Sequence, residues 1–482
     1  MPYSEMIAKM RLALPNFIVL QPVDKIDYLG YIHEGGDHDG YLRFMEPQAA
    51  SPYAKFEIEF SASNDFVHIR SCQNNKYWER KQILSISGGY WVTATADKKE
   101  DDQSKESCTL FKVTSVDHAM NTVRIMHVQS GCYLCCWRWD SEKYTRGMYS
   151  FYTTHDQNGF DIFKFIDWNS LLILPRFVAF KGYNNKYLCL RRVEWDLPYM
   201  QFSSDDIGDS TVALEIFPTD DGYVRIKPVC TDKFWRRSPN WIWADSNDSS
   251  SKNTDTVFRP VRSDNKTIGL INLGNNAFCK SLTTEGKSDC LNAATYSLTK
   301  EARLIVEEPV LSREIYGVKY HLGNSRVYGE IVLIVAKNSA SNFSNEPATL
   351  DVKLSYTDIK TTNWKNSFSL KLGTKATMDF NIPLIFEGKV ELSGEVQTGI
   401  DWGETNTTTT VVDVVYKVTV PPRTKVIVCI IATKGMCDVP FTYMQRDTLY
   451  DGTSVTNEIQ GGTYTGSNYY STNFEAKEEA LE

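Results

Sequence analysis

No stretch of this 482-residue chain approaches the roughly 18 consecutive apolar residues that a membrane-spanning helix requires. Basic residues are not in excess either. Lys and Arg number 52 against 60 Asp and Glu, a formal charge of −8, which argues against nucleic acid or anionic lipid head groups as a purely electrostatic partner. The opening residues Met1-Pro-Tyr-Ser-Glu5 carry an acid early and lack the apolar core of a signal peptide, so a cytoplasmic or nucleocytoplasmic location is expected. The 11 cysteines are odd in number and irregularly spaced, which suits thiols in a reducing compartment better than a disulfide framework. Catalytic signals are equally thin. His33-Glu-Gly-Gly-Asp-His38 lacks metal-protease spacing, and its glycines oppose a helix, so it reads as a solvated turn. Cys132, Cys135 and Cys136 have no second Cys/His pair beside them and read as core thiols. The last third holds one histidine, His321, and no Gly-x-Ser-x-Gly. No metal, cofactor or enzymatic activity is expected.

What the chain does have is apolar and aromatic content, at 42% and 12%, enough for real cores. Self-comparison then organises it. Leu14-Pro-Asn-Phe-Ile-Val-Leu20 recurs as Leu174-Pro-Arg-Phe-Val-Ala-Phe180, and Val67-His-Ile-Arg70 as Val224-Arg-Ile-Lys227. Tyr90-Trp-Val-Thr-Ala94 has its echo in the stretch from Trp241. Residues 1–167 and 168–305 are therefore expected to be two versions of one domain. Within the second copy Tyr187, Phe234 and Phe278 open three similar short-stranded units of about 45 residues, the pattern of a trefoil-like barrel.

At about residue 306 the composition changes. Nine of the 11 Trp lie before it, whereas long alternating Thr/Val stretches follow. Val411–Val420 should be a strand ended by Pro421-Pro422, since proline lacks the N–H a ladder needs, with another strand from Lys425. The expected class is all-β: two tandem β-trefoils, then an elongated antiparallel domain over 306–482.

Residues 367–402 carry the sharpest pattern. Phe368, Leu370, Leu372, Met378, Phe380 and Ile382 fall on even positions of a first arm whose odd positions are polar. The return arm repeats the parity with Val390, Leu392, Val396 and Ile400. Period two places one set on each side of a ribbon. Between the arms Pro383-Leu384-Ile385-Phe386-Glu-Gly388 is expected to form an apolar turn. Fifteen residues extend roughly 50 Å, enough to cross an apolar band of about 25 Å. A lone hairpin cannot do so, because its edge N–H and C=O groups would be unpaired in hydrocarbon. Several copies would have to close one barrel. Alternation alone is what any half-buried strand pair shows; the unbroken parity and the apolar tip go further.

These residues resemble the pore-forming module of the aerolysin-like family. The two copies before them resemble the agglutinin domains of amaranthin-like plant lectins, on Phe56-Glu-Ile-Glu59, Asn75-Lys-Tyr-Trp78, Tyr90-Trp-Val-Thr-Ala94, Cys108-Thr-Leu-Phe-Lys112 and Asp167-Trp168. The resemblance implies binding of N-acetylgalactosamine and of the Gal-β1,3-GalNAc disaccharide (the T-antigen) where the first domain of one subunit meets the second domain of another. It also implies a dimer in solution, a larger membrane ring after activation, and a part in plant defence. The family's Ser-Pro-Asn loop is kept as Ser238-Pro-Asn240 before Trp241, whereas the first copy reads Ser87-Gly88-Gly before Tyr90 and Trp91. An apolar sugar face would lie on Tyr90, Trp91 or Trp241, and Asn240 or Asn275, with Phe278 beside it, would meet the hydroxyls. The same tryptophans would serve as trefoil core, and the sequence leaves these two roles open. A non-lytic cytosolic lectin whose last domain only oligomerises is the alternative reading.

Overall fold

The computed structural model describes the chain except residues 1–13, 25–26, 64, 84–88, 139–144, 220–221, 249, 251, 367–375, 401 and 482. It is built almost wholly of strands, with short 3-10 turns and no α-helix among the described residues. Two compact units result, the first holding both repeats and the second the long-stranded sheet.

Each repeat closes on itself. Phe17–Pro22 pairs with Phe163–Asp167 in the first, with Val19 opposite Ile166. In the second, Phe177–Lys181 pairs with Leu304–Glu307, with Phe180 opposite Val306. First and last strands thus meet in both, which closes a ten- and a twelve-stranded sheet and, among the described residues, leaves Phe234–Ser238 of the second paired on one side only. Each core is a ring of alternate residues: Leu20, Phe44, Ile69, Trp78, Val92 and Leu134 in one copy, Phe180, Leu188, Ile226, Trp235, Ile242 and Leu270 in the other.

The asparagines that precede Tyr77, Tyr187 and Phe278 by two residues have a local cause. Asn75, Asn185 and Asn276 lie at φ 58°, 62° and 54°, a left-handed position that asparagine tolerates better than most residues. The preceding asparagine braces each turn. Asn74, Asn184 and Asn275 accept the backbone N–H two residues on, and donate to the carbonyls of Ala94, Phe202 and Ala293.

The second unit is an eight-stranded sheet of long strands, among them Arg326–Asn342, Ala348–Lys365, Thr405–Val420, Thr424–Leu449 and Ser454–Ala480. The strand before Pro421 ends at Val420, as the missing proline N–H requires. The expected antiparallel character holds, with one parallel contact: Val310–Tyr320 meets Ala376–Phe386 at Glu314 and Thr377. All eleven cysteines are free.

Candidate functional site

Three strands of the second repeat, Pro198–Ser204, Trp241–Ser246 and Lys287–Thr295, make one antiparallel patch. Met200, Ile242 and Leu291 point into the barrel core. Alternation therefore turns Tyr199, Trp241, Trp243 and Asn292 to the other face, where Trp241 is paired with Asn292 and Tyr199 with Trp243. There they floor a hollow of about 460 Å³, within the size range of small-ligand sites. Asn240, Glu194, Glu285 and Lys287 stand around it.

Its chemistry is that of a binding site for a neutral, amphipathic ligand. The floor is aromatic but largely covered: Tyr199 and Trp241 are 2% and 6% exposed, and the Lys287 ammonium lies 5.3 Å from the Trp241 ring centroid. The Asn292 side-chain oxygen is buried without a hydrogen-bond partner, an acceptor that a hydroxyl can satisfy. Lys287 is not free for an anion. Its ammonium lies 2.7 Å from Glu194 and 3.6 Å from Glu285, and the hydrogen bond it donates to Glu194 holds its pKa above the ordinary lysine value. Three charged groups at the hollow sum to one net negative charge.

Among the described residues, the corresponding place in the first repeat is filled by side chains. Structural pairing equates Trp91 with Trp241, because Trp91 is opposite Tyr149 as Trp241 is opposite Asn292. Tyr149 fills the space that Asn292 leaves. Trp137 closes the rest, with ring centroids 5.6 Å from Trp91 and 5.2 Å from Tyr149. The hollow remaining beside Trp91 is about 10 Å³. Among the described residues Trp91 is buried in an aromatic cluster with Tyr149 and Trp137. Tyr90 lies under the Arg80 guanidinium, 3.5 Å from its ring centroid. Ser87 and Gly88 lie outside the described residues.

In the second repeat Ser238 pairs with Trp241 across the Pro239-Asn240 reversal, so Asn240 and Trp241 reach the hollow. Asn275 does not line it; its amide holds the turn described above and touches the Asn240 side chain at 3.3 Å. Phe278 packs instead against Gly269, where an added Cβ would come within 3.0 Å of its ring. Sequence reasoning missed Tyr199, Trp243, Lys287 and Asn292. Trp243 had a signal in Trp241-Ile-Trp243, where residues two apart share a face; the others come from distant strands.

The second site is the hairpin Ala376–Phe386 and Lys389–Ile400. The expected apolar turn is corrected: Pro383-Leu-Ile-Phe386 continues the strand, and the chain reverses at Glu387 and Gly388, both left-handed at φ 47° and 79°. That is the two-residue geometry matching strand twist. The tip is docked. Leu384, Ile385 and Val390 are buried, the last two in a core with Trp364, Phe441, Tyr464 and Tyr470. The Asn468 side chain imitates a strand, accepting from Ile385 N–H and donating to its carbonyl, each at 2.9 Å. Lys360 to Glu395 at 2.5 Å and Thr362 to Gln397 at 2.9 Å hold the return arm. Ile382 is half-buried, whereas Phe386, Leu392 and Val396 are 43%, 44% and 50% exposed. Met378, Phe380 and Ile400 are described as strand backbone only, and Phe368, Leu370 and Leu372 lie outside the described residues.

The unbroken parity also needs correction. Pro383 is opposite Leu392, Leu384 opposite Glu391 and Asn381 opposite Val396, with irregularities between Asn381 and Pro383 and between Ala376 and Asp379. Paired residues share a face. In this state the even row of one arm and the even row of the other therefore lie on opposite faces.

Both folds have counterparts. The agglutinin domain model matches residues 12–167 and 173–308, and the aerolysin toxin model residues 314–455. The chain belongs to the agglutinin-domain family and carries an aerolysin module behind its two lectin domains; neither family is enzymatic. Among solved structures, the hemolytic lectin CEL-III is similar over 94% of this chain and 91% of its own, at 10% identity and TM-score 0.30. The aerolysin-like protein of Bombina maxima covers 34% of this chain and 99% of its own, at 17% identity and TM-score 0.24. A lamprey immune protein covers 63% and 91%, at 12% identity and TM-score 0.30. No curated protein matches the sequence.

Proposed function

We propose that the second lectin domain binds neutral glycans ending in galactose or N-acetylgalactosamine, and that clustering of copies on such glycans releases the hairpins into one shared membrane barrel. The observation that carries the sugar half is the Trp241–Asn292 hollow, where an aromatic floor meets an unpaired buried acceptor. Its negative charge favours uncharged sugars over those carrying a carboxylate. The pore half rests on the hairpin's division between a buried tip and an exposed apolar return arm. Each copy contributes two strands, and only a closed ring of them satisfies the backbone in hydrocarbon. For both arms to turn their apolar rows toward lipid, the pairing must move by one residue, to the register that Ala376 and Ile400 already hold.

Val396→Lys tests the pore. Val396 is half exposed here, so the substitution leaves the soluble fold intact, whereas a lysine at mid-membrane on a barrel's lipid face costs about 2–4 kcal/mol per subunit. Dye release from liposomes bearing galactose-type glycolipid should stop while sugar binding stays. Undiminished release would remove the hairpin from the mechanism. Wild-type protein that binds sugar and never releases dye would favour the non-lytic oligomerising lectin.

A further inference from the structure

The strand Ala348–Lys365 changes character along its inward face. Leu350, Val352, Leu354 and Tyr356 pack into one apolar core, and Trp364 belongs to another. Between them the same face carries Asp358, Lys360 and Thr362, since residues two apart share a side of a strand. The return arm of the hairpin is docked on this polar interval. Lys360 meets Glu395 at 2.5 Å and Thr362 meets Gln397 at 2.9 Å. The arm is thus held by its polar row, while Leu392 and Val396 of the other row stay exposed. The ion pair is itself partly open to water, with Lys360 at 25% and Glu395 at 51% exposure, and such a pair holds an arm only weakly.

Asp358 works against that hold. Its Oδ1 is shielded from water and has no hydrogen-bond partner among the described residues. Lys360, roughly 7 Å further along the strand, is drawn to Glu395 instead. Thr410, opposite Asp358 on the paired strand, brings no charge. Two carboxylates therefore meet one ammonium. Burial pushes the Asp358 carboxyl above its ordinary pKa; Lys360 pulls it back, and Glu395 pushes it up again. A buried acceptor without a partner is costly, and in a native fold it marks stored strain.

Resting on the hairpin reading above, we infer that Asp358 and Lys360 are opposed positioning residues that set how readily the return arm leaves the sheet. Lys360 clasps the arm through Glu395, and the unpaired Asp358 carboxylate loosens it. Once the arm lifts, water reaches Asp358 and Lys360 is free to turn to it. The released state then satisfies a charge that the docked state leaves unmatched.

Hydrogen exchange of the full chain in solution, without membranes, reads the arm directly over residues 389–397. At neutral pH, Asp358→Asn should slow exchange there by about threefold or more. Asp358→Ala, which removes the unpaired oxygen together with the charge, should do the same. Lys360→Met should speed it by about twofold or more. Opposite signs at two neighbouring positions are the mark of the clasp, because a merely structural role would make every one of these variants loosen the arm. Exchange that is unchanged or faster in both Asp358 variants overturns the inference, as does unchanged exchange in Lys360→Met. Dye release from liposomes bearing galactose-type glycolipid separates this from the pore reading. Release should begin at higher protein concentration in the Asp358 variants and at lower concentration in Lys360→Met. If exchange shifts as expected while release stays at the wild-type level in all three, the clasp stands and the hairpin's departure is removed from the mechanism.

Discussion

Trp91 and Trp241 hold the same place in two copies of one domain, and their neighbours give them opposite duties. Trp91 is packed against Tyr149 and Trp137, whereas Trp241 lies beside Asn292 on the floor of a hollow. Removing a buried tryptophan side chain costs about 3–5 kcal/mol. Both are buried, at 3% and 6% exposure, so Trp91→Ala and Trp241→Ala should each lower the thermal midpoint. The folded Trp91→Ala protein should keep its sugar Kd within twofold, whereas folded Trp241→Ala protein should bind sugar at least tenfold more weakly, both read by calorimetry. Histidines set a second property at this scale. Burial holds His68, His127 and His321 below the ordinary imidazole pKa. His127 shows why: it is fully buried, its Nε2 donates to Cys108 O at 2.9 Å and its Nδ1 is 3.0 Å from the Ser130 hydroxyl, the arrangement of a neutral ring. For a base with a lowered folded pKa, the unfolded chain takes up protons first as pH falls. Stability should thus be intact above about pH 6.5 and decline below it. A thermal midpoint unchanged between about pH 7.5 and about pH 5.5 would contradict this.

At the scale of elements, the described part of the hairpin is held by its buried tip and by polar contacts from Asn468, Lys360 and Thr362. Asn468 supplies both partners of the Ile385 peptide groups. Asn468→Ala leaves a buried donor and acceptor unpaired, at about 1–3 kcal/mol each. The soluble state should be less stable and dye release should begin at lower protein concentration. Register gives a sharper test. Cysteines at Pro383 and Leu392 sit opposite each other now, whereas Leu384 and Leu392 lie on opposite faces. A 383–392 disulfide should block dye release until reductant is added, and a 384–392 disulfide should form only in membrane-bound oligomers. Release from oxidised 383–392 protein would rule out the one-residue slip. The alternation of each arm was legible in sequence because period two is a local property. The pairing of the arms was not, because a bulge is a small local irregularity and the burial of Pro383, Leu384 and Ile385 against distant strands selects it.

For the whole molecule, sugar binding and perforation are coupled by concentration. One site on one lectin domain binds weakly, but many copies on a glycan-covered surface meet at a high effective concentration. Free sugar in excess should therefore suppress dye release with the same half-maximal concentration at which it occupies the hollow. Replacing residues 367–402 with a short Gly/Ser linker should abolish release and leave surface binding untouched. The all-β character, the duplication and the change near residue 306 follow from strand periodicity, repeated short motifs and composition, each carried by residues close together along the chain. Which copy has an open hollow, which asparagine is turn and which is rim, and which faces of the hairpin coincide were decided only on folding. Those outcomes rest on side chains far apart in sequence, such as Trp241 and Asn292 or Ile385 and Asn468, whose meeting depends on strand order and register rather than on any local preference.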